Sequence, residues 1–237
     1  MKRLKVLLLL VTGIILLVIF YPMDTKGDEE LVASKHSERE TNLTLYDLSQ
    51  PMMRFVYQSG YHFEYPDAVR GIYVTGNTAG SKRFHDLVEF VDSTDLNAMV
   101  IDIKEDHGYL TFKVEDDSPF ADISQNYISD PEGMMELLEE KQIYPIARIV
   151  VFKDSVLAKK RPDLSFTENG EVWVNNRGEA FVNPFEKEVW EYNVEIAKLA
   201  VEMGFKEIQF DYVRFPEGFE RRDDILSYTL GEYKDLD

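Results

Sequence analysis

The chain has no cysteine, so neither a disulfide framework nor a lipid-modified cysteine anchor is open to it, and any domain outside the cytoplasm must rest on its hydrophobic core. Histidine is scarce at four residues, and only His107 stands among acids, in Glu105-Asp106-His107, a spacing too sparse to predict a metal site. No metal and no cofactor are expected. Cations are short as well, 26 Lys and Arg against 44 Asp and Glu, for a formal net charge of −18. That balance argues against nucleic acid or another anionic polymer as partner and favours a neutral or cationic substrate. No Gly-x-Gly-x-x-Gly and no Walker-type loop follows any strand-like segment, which argues against a nucleotide domain.

What is present begins with Lys2, Arg3 and Lys5, followed by an apolar run from Val6 to Tyr21 interrupted only by Thr12 and Gly13. No soluble domain exposes such a terminus. The run lies between a signal-peptide core and a full span, and no Ala-x-Ala-like site precedes Pro22, so residues 1–23 read as an uncleaved signal anchor. The basic residues hold the N-terminus inside and send the rest outward, predicting a single-pass membrane protein with an extracellular domain; a cleaved signal peptide would give a secreted one. Residues 24–60 are rich in charge, as in Asp28-Glu29-Glu30 and Ser37-Glu38-Arg39-Glu40, and read as a polar stalk. The domain is then 61–237.

Within it, strand-like and helix-like segments alternate. Val69–Thr75 reads as a strand, followed by a loop over 76–80, a helix capped by Ser81 with Phe84, Leu87, Val88 and Val91 on one face, and a second strand over Asn97–Lys104. Asp130-Pro131 opens a helix carrying Met134, Leu137 and Leu138. Ile143–Phe152 is a third strand, its β-branched run suited to a core. An insertion with Trp173 and a turn at Asn175–Gly178 precedes a helix that starts at Asn183-Pro184, presents Val189, Asn193, Ile196, Ala200 and Met203, and stops at Gly204. The fourth strand, Glu207–Pro216, follows at once. Such alternation predicts parallel strands with helices outside. Long polar segments follow the strands and short turns precede them, as in a TIM (β/α)8 barrel whose site lies at the C-terminal ends. Only four βα units fit before Pro216, so a truncated barrel, the first half of eight units, is expected.

Four segments carry a resemblance: Asp102-Ile103-Lys104-Glu105-Asp106-His107-Gly108, Ala147-Arg148-Ile149-Val150-Val151-Phe152-Lys153-Asp154, Asn183-Pro184-Phe185, and Phe210-Asp211-Tyr212-Val213-Arg214-Phe215-Pro216. In this order the chain from Ala68 to Asp237 resembles the N-terminal half of the glycoside hydrolase domain family of bacterial envelope proteins, long labelled a domain of unknown function and related to barrel glycosidases. The resemblance implies a (β/α)8 barrel, a carbohydrate polymer as substrate, and Asp211 as the catalytic carboxylate.

The residues support this chemistry in kind. Glycoside hydrolysis takes two carboxyl groups about 5 Å apart for retention and roughly 6.5–9.5 Å apart for inversion. Arg214, three residues beyond Asp211, can hold it ionised or bind a sugar hydroxyl; alternatively Asp211 forms an ion pair with Arg214 or Arg148 that closes the barrel mouth. Asp102 and Lys104 occupy alternate positions of one strand and so share a face of the pleat, either meeting substrate inside the barrel or pairing with each other. Arg148 reads as a rim cation. Tyr73, Trp173 and Tyr212 offer aromatic faces for sugar rings, or simply pack. Asp154 reads as the cap of a helix over Ser155–Lys160 rather than as a site residue. With no second carboxylate from later strands, three readings follow: a glycosidase represented by its N-terminal part, a carbohydrate-binding envelope protein without catalysis, or an inactive fragment.

Overall fold

The computed structural model describes residues 59–234. The expected signal anchor and all but the last residues of the stalk lie outside the described residues. Among the described residues no helix is long and apolar enough to cross a membrane.

The fold is mixed α/β around a parallel sheet. Strand β1 (Gly71–Val74) is followed by a one-turn helix α1 (Gly76–Ala79) where a loop was expected, and by α2 (Arg83–Asp92). Strand β2 (Ala98–Lys104) pairs parallel with β1, Tyr73 opposite Val100. The segment after β2, expected to be a polar excursion, instead forms β3 (Leu110–Phe112), antiparallel to β2, and β4 (Ser124–Ile128), parallel to β3. Leu110 and Phe112 are buried, and three residues are too short a run for periodicity to reveal. Helix α3 (Pro131–Glu140) starts as predicted, the Asp130 carboxylate accepting from Gly133 N at 2.9 Å. Strand β5 (Tyr144–Val150) pairs parallel with β2. After it come α4 (Ser155–Lys160), a small hairpin of β6 (Thr167–Glu168) and β7 (Glu171–Val172), helix α5 (Lys187–Met203), and β8 (Glu207–Asp211), parallel to β5.

The four parallel strands lie in the order β1-β2-β5-β8, each beside its predecessor, with no reversal of winding. One face, bearing Met99, Ile101, Ile103, Ala147 and Ile149, packs on Phe84 and Val88 of α2, Met135 and Leu138 of α3, and Ile196 and Ala200 of α5. The opposite face is apolar only near the strand starts, where Ala98, Tyr144 and Ile146 pack with Phe63. Toward the strand ends it becomes charged. Parallel strands covered by helices are ordinarily apolar on both faces, so this gradient marks the C-terminal rim as the place where the sequence departs from packing.

Candidate active site

Pairing register sets the charged face. Asp102 of β2 lies opposite Arg148 of β5, and Asp211, the last residue of β8, lies opposite Val150, two residues beyond Arg148 and on the same face. Arg148 is the hub. Its Nε donates to Asp211 Oδ2 at 2.7 Å, its Nη1 to Asp102 Oδ1 at 2.7 Å and its Nη2 to Asp106 Oδ1 at 3.0 Å. Tyr73 of β1 donates its hydroxyl to Asp102 Oδ2 at 2.5 Å and presents its ring 5.3 Å from the guanidinium. Three carboxylates therefore converge on one planar, five-donor cation.

They differ in access. The Asp102 side chain is 4% exposed, whereas those of Asp211 and Asp106 are both 39% exposed. Burial pushes the Asp102 carboxyl above the usual carboxylate range, against hydrogen bonds from Tyr73 and Arg148 that favour the charged form. For Asp211 burial also acts upward, but the bond from Arg148, the backbone N–H of Tyr212 at 2.7 Å and the charges of Arg148 and Arg214 prevail and hold it below that range. Of these two carboxyl groups beside one cation, Asp211 is therefore the more acidic. A cleft of about 360 Å³ opens on the Asp102 and Asp106 side of this cluster, lined by Tyr73, Asn77, Asp102, Glu105, Asp106 and His107; Asp211 is not among its lining residues.

A second arm reaches the rim from the insertion. Lys153 Nζ binds Asp106 Oδ2 at 3.1 Å and Glu179 Oε1 at 2.8 Å, and stands 4.8 Å from the Tyr212 ring. Glu179 also accepts from Asn175 at 2.7 Å and Arg177 at 2.9 Å. Burial alone would raise its pKa, but these donors lower it to about 2. A carboxyl whose folded pKa is depressed contributes stability above its unfolded value, and that contribution disappears as pH falls through the folded pKa. Unfolding free energy is therefore expected to fall between pH 4.5 and 2, and Glu179→Gln should flatten the slope there; equal slopes for the two proteins in urea titrations would refute the assignment.

Of the residues expected at the site, Asp211, Asp102, Arg148, Tyr73 and Tyr212 come together. Tyr212 takes φ of 53°, a left-handed conformation costly for a bulky side chain; it ends β8 five residues before the expected Pro216 and turns its N–H onto the Asp211 carboxylate. Arg214 does not bond Asp211; it stacks 4.9 Å from the Tyr212 ring and binds Glu217 at 3.2 Å. Trp173 is not free to stack on a sugar: it is 7% exposed, packed with Phe166, Phe181 and Leu226. Lys104 leaves the site altogether. A bulge between Asp102 and Lys104 brings Lys104 opposite Ile149, on the helix face, so the expected sharing of a pleat face fails. Asp154 caps α4 as expected, accepting from Leu157 N at 2.7 Å.

Asp106, Lys153 and Glu179 were missed as site residues. Asp106 and Lys153 stand inside the motif segments of β2 and β5, which was the available signal; Glu179 lies 26 positions from Lys153 and had none. Among the described residues no group of His, Asp and Glu is arranged to hold a metal ion.

The architecture and rim define an α/β protein with an ionic site at the C-terminal ends of parallel strands. Residues 71–236 match the family described as "Putative glycosyl hydrolase domain", and the chain belongs to that family. It is similar to a hypothetical protein of known crystal structure from Ruminiclostridium thermocellum, with 36% identity and a TM-score of 0.60 over 68% of this chain and 83% of that one. Weaker likenesses extend to an alpha-galactosidase from Thermus thermophilus, at 15% identity, TM-score 0.43, 63% of this chain and 32% of that one. A maltogenic alpha-amylase from Thermotoga neapolitana gives 16% identity, TM-score 0.45, 66% of this chain and 42% of that one. No curated protein matches the chain.

Proposed function

We propose that the domain is a hydrolase of O-glycosyl bonds acting on a cell-wall or extracellular polysaccharide, with Asp211 as the ionised carboxylate at the reacting centre. The observation that carries this reading is the convergence of Asp211, Asp102 and Asp106 on Arg148 at the strand ends, with the Asp211 carboxyl held below the usual carboxylate range there. Asp211 and Asp106 are the two carboxyls open to solvent. Each bonds one nitrogen of the same guanidinium, so their bonded oxygens lie no more than about 8 Å from one another, which does not exceed the reach of a glycosidase pair. Asp102, Arg148, Tyr73, Tyr212 and Arg214 orient the pair or bind substrate. The unreversed order β1-β2-β5-β8 supports the finer fold reading, in which these strands are the leading part of a (β/α)8 barrel. The apolar run from Val6 to Tyr21 supports a reading in which the domain lies outside the cell, tethered to the membrane or released from it.

A second reading, sugar binding without hydrolysis, is favoured by the saturation of Arg148 by three carboxylates, which is also how a purely structural rim would look. Asp211→Asn in the full chain separates the two. Release of reducing ends from isolated wall glycans is expected to fall about a hundredfold, while pull-down on the same glycans survives. A variant that hydrolyses as the parent does would remove Asp211 from the chemistry. Binding with no hydrolysis by the parent would establish the second reading.

A further inference from the structure

Behind the rim, in the layer between sheet and helices, lies a second cluster that the proposed chemistry does not use. Lys104, turned away from the site by the bulge, is fully buried, and so is Asp154; Lys104 Nζ stands 2.6 Å from Asp154 Oδ2. That contact lacks hydrogen-bond angles, and Oδ2 has no other polar partner. The same Nζ donates to the side-chain carbonyl of Asn193 at 3.1 Å and to Val150 O at 2.7 Å, with the Tyr192 ring 5.4 Å away. Asn193, on α5, is itself buried. Asp154 is held from two sides: its Oδ1 takes Leu157 N, and Gly108, with φ of 109°, lies so close that a Cβ there would meet Oδ1 at 2.0 Å.

An amine, a carboxyl and a carboxamide are thus locked together out of reach of water. Charge separation between Lys104 and Asp154 is costly in such surroundings, and passing one proton from Nζ to Oδ2 leaves both groups neutral. A neutral lysine amine is a nucleophile, and the carbonyl carbon of Asn193 is bonded to the very oxygen that Nζ contacts. We propose that Lys104 and Asn193 join in an intramolecular amide, with Asp154 as the proton carrier. Lys104 Nζ attacks Asn193 Cγ, and the N–C bond forms as Asp154 protonates the carboxamide oxygen. Asp154 recovers a proton from the attacking nitrogen and delivers it to Nδ2; the hydroxyl then returns its proton to Asp154 as the carbonyl reforms, the Cγ–Nδ2 bond breaks, and Nδ2 leaves as ammonia. Nothing is oxidised or reduced, and no co-reactant is needed.

The link would tie the end of β2 to the middle of α5, 89 residues apart in sequence, in a chain that has no cysteine to make any other covalent tie. It does not depend on the glycosidase reading. Mass spectrometry of the purified full chain after complete unfolding and tryptic digestion tests it. The expected product is a branched peptide joining the Lys104 and Asn193 segments, lighter by one ammonia, about 17 Da, than the sum of the two, with no cleavage after Lys104. Separate peptides of unmodified mass would overturn the proposal, as would loss of ammonia within the Asn193 peptide alone, the mark of a cyclic imide. A branched peptide lighter by water would place the bond on Asp154 and overturn the assignment to Asn193. Asp154→Asn, checked for native circular dichroism, should yield only unlinked peptides; a link persisting there would remove Asp154 from the reaction.

Discussion

Replacing Arg148 by methionine is expected to lower the unfolding free energy by about 3–5 kcal/mol at neutral pH, the cost of stranding a buried charge. Asp102 decides the size of the effect. Its side chain is 4% exposed and keeps only the Tyr73 hydroxyl when the guanidinium goes, whereas Asp106 and Asp211, at 39% exposure, can turn to water. The loss should depend on pH with a definite sign. The Asp102 carboxyl is already raised in the folded parent and rises further without Arg148. A group raised on folding stabilises fully below its unfolded pKa and loses that contribution as pH rises through the folded value. The deficit of Arg148→Met should therefore be small near pH 4 and grow toward pH 7. Urea midpoints measured across that range check it, and a deficit independent of pH would mean that Asp102 does not carry the cost. Activity, if glycosidic, should disappear in the same variant, because Arg148 also holds Asp211 ionised and in place.

Lys104→Met is expected to cost a similar amount, about 3–5 kcal/mol, for a related reason. Methionine matches the length of lysine and leaves little cavity, so the loss measures the missing polar partner, and the missing tie to Asn193 where it has formed, rather than volume. Asp154 is fully buried beside Lys104, and without Nζ its Oδ2 faces no polar group at all. The double variant Lys104→Met with Asp154→Asn should recover part of the loss, because it removes the stranded carboxylate as well as its partner. A double variant no more stable than Lys104→Met would show that the cost comes from elsewhere, such as the contacts of Nζ with Val150 and Asn193.

These two lysine and arginine positions show what could be read from residue order and what could not. Arg148 was recognisable as a rim cation because an arginine inside a β-branched run has no apolar role. Its partners were not fixed, since Arg214 stood nearer to Asp211 in sequence than Arg148 did. Pairing register decided the matter: parallel strands bring Arg148 beside β8, while the left-handed turn at Tyr212 sends Arg214 outward to Glu217. Lys104 was misplaced because the alternation rule assumes an unbroken pleat, and a single bulge shifts the side on which every later residue falls. Trp173 was misplaced because an aromatic in a polar insertion gives no sign of the distant partners, Phe166, Phe181 and Leu226, that bury it.

By itself the sequence determined the alternation of strands and helices, the apolar faces of α2, α3 and α5, and the caps at Asp130 and Asp154. All of these rest on neighbours within a few residues, where propensity, periodicity and capping act. Tertiary structure alone decided that three carboxylates share one guanidinium, that Lys153 and Glu179 join the rim, and that Lys104 meets Asp154 and Asn193 behind it. Those contacts join residues 26 to 89 positions apart. Charge, unlike hydrophobic periodicity, leaves no local pattern that names its partner.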